Sequence, residues 1–215
     1  ERYVLQSWGL HFHVTATCIM LLIVLYTFKG GVKTIVWTDT LQTTFMLLAL
    51  AFCTYFILDH LHLNISGAWK KMNELHLNNW HGSDIMKSGY WLKQLLGGFF
   101  ITIAMTGLDQ EMMQKNISVK TLKDARKNML SFSLIIVLVN FVFLFLGGLL
   151  QLYNVHLNLN LSGDAVFPAI AHSQTLPWLM ALFFLIGLVS ALFPSADGAL
   201  TAVTASYCVD VLNIE

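Results

Sequence analysis

Charge is scarce in this chain. Lys, Arg, Asp and Glu make up 11% of its 215 residues, against roughly 25% in an ordinary soluble domain. The charge that exists is balanced, 12 basic against 12 acidic, which leaves no footprint for nucleic acid or for an anionic surface. Cysteine is rarer still. Cys18, Cys53 and Cys208 each lie in an apolar stretch without metal-ligand spacing, so they read as small buried hydrophobes rather than redox groups. The sequence holds no Gly-x-Ser-x-Gly, no phosphate loop and no Cys/His triad. Neither an enzyme activity nor a cofactor is expected. Heptads, short repeats and low-complexity tracts are missing as well. The first apolar segment is too long for a signal peptide and lacks a cleavage site. Glu1 opens the chain inside what reads as a loop, which suggests an internal fragment truncated at both ends.

What is abundant is apolar sequence, 56% of the chain. A membrane span needs about 20 mostly apolar residues, and five stretches qualify: 9–28, 35–58, 91–113, 129–152 and 176–209. The predicted fold is therefore an all-α polytopic membrane bundle forming one transmembrane domain over 1–215. Residues 28–33 supply a tight Gly-Gly turn between the first two spans. A polar connection with Asn64, Gly67, Asn78, Asn79, Gly82 and Ser83 follows the second. Loop 115–127 carries Lys115, Lys120, Lys123, Arg126 and Lys127, whereas 153–175 has no Lys or Arg. The positive-inside rule then places loops 29–33 and 115–127 in the cytoplasm of a protein of the plasma (inner) membrane. Counted over the whole chain the bias is smaller, seven basic residues on that side and five on the other, Arg2 among them. Trp8, Trp37, Trp91 and Trp178 fall near span ends, as an aromatic belt would have them.

Within so apolar a chain, acids in the spans stand out. Asp197 follows sixteen mostly apolar residues and sits in a run of small and hydroxylated ones, Pro194 to Ser206. An ionisable group at membrane depth is costly and usually serves an ion or proton path. Small neighbours let helices approach, and oxygen ligands suit a hard cation. Pro194 has no N–H for the carbonyl of Ser190, and a cation could satisfy that oxygen. By helical spacing Ala191, Ser195 and Gly198 share one face, and Asp197, Thr201 and Thr204 an adjacent one. The plain alternative is that small residues here only allow tight packing, with Asp197 capping a break at Pro194. Asp39 has an equally plain reading as a first-turn carboxylate favoured by the helix dipole. Asp109, beside Gln110 and Glu111, reads as a solvated helix end. The pairs His11/His13 and His60/His62 raise the thought of a histidine-ligated oxidoreductase. Residues at i and i+2 do not face one another on a helix, so interfacial histidines are the better reading.

From Tyr26 to Gln42 the segment Tyr-Thr-Phe-Lys-Gly-Gly-Val-Lys-Thr-Ile-Val-Trp-Thr-Asp-Thr-Leu-Gln strongly resembles the sodium/solute symporter family. Two further segments resemble it too. Gly107-Leu108-Asp109-Gln110 through Asp124-Ala125 looks like its cytoplasmic helix end and loop, and Ser195 to Asp210 like its hydroxyl-rich eighth core helix. The resemblance implies core helices four to eight of a ten-helix inverted-repeat transporter, working by alternating access with sites near the midplane. It implies sodium as the coupling ion, with Ala191 and Ser195 at its ligand positions and proline at Pro194 replacing a usual hydroxyl. Some members place a second cation or a proton between positions matching Asp39 and those matching Asp197 and Gly198. Acids at both Asp39 and Asp197 depart from that pattern and would suit a cation strongly, or let one hold a proton.

The resemblance also bears on the solute. Sugar-transporting relatives carry an asparagine and a stacking tyrosine where this chain has Thr102 and Met105, with Thr106 next. A lysine they use on the next helix has no counterpart between Met129 and Leu152. These three positions are therefore expected to line the path of another small organic solute. The expected partners are that solute, sodium, the lipid bilayer and the missing helices of the same chain, including a broken first helix. Proton coupling through Asp197 and Asp39 is the alternative within transport. A membrane input domain of a sensor protein is the alternative outside it.

Overall fold

The computed structural model describes residues 11–27, 31–77, 85–87, 89–117, 119–159, 161–173 and 175–213. Arg2, Trp8, Lys29, Gly30, Asn78, Asn79, Gly82 and Ser83 lie outside them, as do the side chains of Lys115 and Thr106. The elements in order are α1 (Phe12–Thr27), α2 (Gly31–His60), α3 (Ile65–Glu74), α4 (Trp91–Gly107), α5 (Gln110–Ile117) and α6 (Leu122–His156). A 3-10 turn at Gly163–Ala165, α7 (Val166–Ala171), α8 (Trp178–Ser206) and a π-helical turn at Tyr207–Val211 complete the chain. No strand occurs among the described residues. Lipid offers no partner for backbone N–H and C=O, so helices that satisfy their own are the expected solution. Val36–His60, Leu122–His156 and Trp178–Val211 are long and apolar enough to cross a membrane. The fold is an all-α membrane helical bundle.

The first and third expected spans correspond to α1 (Phe12–Thr27) and α4 (Trp91–Gly107); residues 9, 10 and 28 of the first lie outside the described ones. Instead of continuing to 113, α4 stops at Gly107, where the N–H of Leu108 still reaches the Ala104 carbonyl at 2.9 Å. Asp109 then opens α5, its Oδ1 accepting from the N–H of Met112 at 3.0 Å. The apolar Met112 and Met113 carry the hydropathy past this joint, which is why composition alone runs the span too far. Thr121 starts α6 as part of a reciprocal cap. Its Oγ1 donates to Asp124 Oδ2 at 2.6 Å and accepts from the Asp124 N–H at 3.1 Å, so one orphan donor at the helix start is met.

Three helices end on a left-handed residue that is not glycine. At His62 (φ 52°), His76 (φ 54°) and Asn158 (φ 52°) the next N–H folds back, Leu63 to Leu58, Leu77 to Met72 and Leu159 to Asn154, at 2.9–3.1 Å. This closing bond satisfies a terminal carbonyl. A histidine pays for the conformation through its Cβ.

The described residues group into two compact units. The first comprises 1–71 and 142–200, and so holds α1, α2, most of α3, the second half of α6, α7 and most of α8. Its core joins Leu50 and Ile57 of α2, Leu149 and Tyr153 of α6, Ile170 of α7 and Met180 of α8. α2 and α8 touch closely. A Cβ built on Gly187 would lie 2.9 Å from the Ala49 Cβ, and the Phe52 and Phe183 rings stack with centroids 4.2 Å apart. At the far end the buried Tyr153 hydroxyl meets Thr175 Oγ1 at 3.0 Å and His60 Nδ1 at 3.4 Å. Beside it Asn154, 3% exposed, donates through Nδ2 to the Leu161 carbonyl at 2.8 Å and accepts from the Leu161 N–H at 3.3 Å. The α6–α7 connection is thereby fixed to α6.

The second unit comprises 72–141 and 201–215, and so holds α4, α5 and the first half of α6. Among its described apolar residues Met72 alone is buried. Phe99, Phe100, Leu130, Leu134 and Leu138 all face outward, as suits helices bathed in lipid.

Packing at Gly187 makes a direct test. Gly187→Ala is expected to destabilise the protein by about 1–3 kcal/mol, the usual cost of overpacking, read as a lower Tm in detergent. Adding Ala49→Gly should restore most of the loss; a double variant no better than the single one would mean that α2 and α8 do not meet there. His62→Gly is expected to raise Tm, since glycine adopts φ near +50° without the Cβ penalty of about 1–2 kcal/mol.

Candidate functional site

The buried stripe of α8 runs Met180, Phe184, Ser190, Asp197 and Gly198. Asp197 is 1% exposed, the most buried acid among the described residues. A carboxylate in that position requires polar company, and Asp197 does have a polar partner within the chain. Pro194 lies inside α8, yet the helix runs unbroken from Trp178 to Ser206. Asp197 is therefore not the cap of a break. Pro194 still leaves the Ser190 carbonyl without its helical donor, and Ser190 is itself buried. Sequence spacing pointed to Ser190 only through that carbonyl. Its side chain also counts as a buried polar group, two helical turns before Asp197.

α8 divides the expected cation residues between two sides. Asp197 and Gly198 face inward, whereas Ala191 and Ser195 are exposed in this chain. Ala191 also borders an apolar cavity of about 180 Å³ walled by Ala49, Leu50, Cys53, Phe183 and Gly187 among others. The face shared by Ala191, Ser195 and Gly198 in the sequence is thus only partly a common environment. Periodicity gave the angle between these residues and could not say which side the neighbouring helices cover. Thr201 and Thr204, which follow Asp197 by spacing, fall in the other compact unit, and both have polar partners.

On α2, Asp39 is half-buried two turns into the helix. Its Oδ1 is a buried oxygen that accepts no hydrogen bond, as is Oε1 of Gln42, although Asp39 as a residue does have a polar partner. The two residues stand at i and i+3, on one face of the helix. Gln42 belongs with Asp39 in any account of this site. Its signal was present in the motif that Trp37, Thr38 and Asp39 begin, and only the burial of its oxygen sets it apart. Asp39, Ala191, Ser195, Asp197 and Gly198 all belong to the first unit. Carboxylate, carbonyl, amide and hydroxyl oxygens are the donors a hard cation takes.

The three positions expected to line the solute path lie on α4 in the second unit. Thr102 donates its hydroxyl to the Gly98 carbonyl at 2.8 Å, which leaves its oxygen free to accept. Met105 is 61% exposed. Thr106 follows in the same helix.

The remaining motifs separate. His60 bonds to Tyr153 while His62 forms the left-handed end of α2, so this pair shares no ligand. Among the described residues no three His, Cys, Asp or Glu side chains converge as a metal group. Of the cysteines only Cys53 is buried; Cys18 is exposed and Cys208 intermediate. The small-hydrophobe reading therefore fits Cys53, while Cys18 is exposed on α1.

Comparison with known proteins bears on the whole chain. The model of the Sodium:solute symporter family matches residues 2–212. No curated protein and no solved structure matches. The family is one of solute transporters rather than enzymes, and its match takes in α2, α4 and α8 together with the buried Asp197. This chain belongs to the sodium:solute symporter family.

Proposed function

We propose that the protein takes up a small organic solute together with sodium by alternating access. The observation that carries this reading is Asp197, a fully buried carboxylate (1% exposed) in a long apolar helix of a symporter-family chain. Sodium is the coupling ion. Asp197 and Gly198 stand on the inner side of α8, and the carbonyl that Pro194 leaves free one turn earlier is a further oxygen for the ion. Asp39 and Gln42 of α2 add side-chain oxygens, while Ala191 and Ser195 contribute from the other flank of α8. Helices of the same full-length chain that are not part of this sequence complete both the cation shell and the solute path. Thr102, Met105 and Thr106 line that path, with two hydroxyls and a soft apolar side chain to meet a solute of mixed polarity. The protein sits in the plasma (inner) membrane with loops 29–33 and 115–127 in the cytoplasm. Bonding between Thr121 and Asp124 holds the start of α6 beside this basic loop.

A proton is the other cation a buried carboxylate could carry, and the deep burial of Asp197 favours it as the second reading. Uptake by the full-length protein in proteoliposomes separates the two. The sodium reading expects uptake that rises with external sodium at fixed pH and vanishes without it. Uptake that ignores sodium and follows a pH gradient would replace it with proton coupling. Asp39→Asn and Ser195→Ala are each expected to raise the half-saturating sodium concentration about tenfold, equivalent to about 1.4 kcal/mol, with expression nearly unchanged. Parallel loss of expression and uptake would assign these residues to packing instead.

A further inference from the structure

Where α2 ends, its last turns, the connection to α3 and one side of α6 enclose an open groove of about 940 Å³. It lies wholly within the first unit, and the cation candidates take no part in it. Tyr55 and Asp59 stand at i and i+4 on α2, so they share the face that looks onto the groove. Trp69 of α3 supplies a second aromatic wall, Asn64 and Ser66 add polar groups, and Phe145 of α6 lines it from within the span. Phe145 is eleven residues before the end of α6, about 16 Å at helical rise. The groove thus has a polar end at the helix termini and an apolar end inside the span.

Asp59 is the one charged residue of the lining, and no described residue donates to its side chain. A carboxylate beside exposed Tyr and Trp rings is the arrangement that attracts an ammonium group. Asn64 and Ser66 flank the N-terminus of α3, where free N–H groups and the helix dipole favour an anion. Cation and anion subsites a few residues apart, above an apolar trough, match a zwitterionic headgroup with its chains.

We propose that this groove holds a membrane phospholipid with an ammonium headgroup, such as phosphatidylethanolamine. The ammonium sits against Asp59, Tyr55 and Trp69, the phosphate at Ser66 and the start of α3, and an acyl chain along Phe145. Lys70 and Lys71 lie on the next turn of α3 but not in the lining; if they governed binding, an anionic lipid would win.

Native mass spectrometry of the full-length protein in an equimolar mixture of phosphatidylethanolamine and phosphatidylglycerol tests this. The expected result is at least a threefold preference for phosphatidylethanolamine. Asp59→Asn should bring it to parity, while Asp59→Glu, which keeps the charge, should preserve it. Parity or a phosphatidylglycerol preference in the unaltered protein would overturn the proposal, as would an Asp59→Asn variant that keeps the preference. Displacement of bound lipid by soluble phosphoethanolamine at equal concentration would overturn the lipid assignment, since the site would then read a headgroup without its chains.

Discussion

The close contact of α2 with α8 is the constraint on which the first unit depends. Lipid tails are as apolar as leucine, so helices in a membrane gain nothing by hiding leucine from them and must associate through fit. Gly187 against Ala49 brings the two backbones together, and the Phe52–Phe183 stack fills the space beside that contact. Only because α8 is held this way do its next inward residues, Ser190, Asp197 and Gly198, lie inside the protein. The same sequence on a looser helix would leave Asp197 facing lipid, where a carboxylate costs several kcal/mol.

Polar groups are placed with corresponding economy. At the ends of α2 and α6, Tyr153, His60 and Thr175 bond to one another, and Asn154 serves the backbone of Leu161 from both sides of its amide. These ends are closed. In the middle of the unit the pattern is different, with buried oxygens on Gln42 and Asp39 that accept no hydrogen bond and a Ser190 carbonyl deprived of its donor by Pro194. The proposed sodium coupling draws on this second group of oxygens, the acceptors a hard cation takes.

The sequence was most readable where hydropathy and local chemistry agreed. The spans of α2, α6 and α8 and the inward position of Asp197 followed from composition and spacing. The reading failed at the α4–α5 joint, because Met112 and Met113 look like more membrane helix while Asp109 caps a new one. It was incomplete on α8, where spacing grouped Ala191 and Ser195 with Gly198 and tertiary packing divided them. Gln42 stayed unremarked because an amide in a motif carries no signal of its burial. The left-handed ends at His62 and His76 were equally hidden, since such ends are usually announced by glycine.

Direct binding of radioactive sodium to the purified full-length protein tests the central claim most closely. The account predicts saturable binding that Asp197→Asn abolishes or weakens at least tenfold, with Asp109→Asn, at an exposed helix start, binding as the unaltered protein does. Full sodium binding by a well-folded Asp197→Asn protein would contradict it.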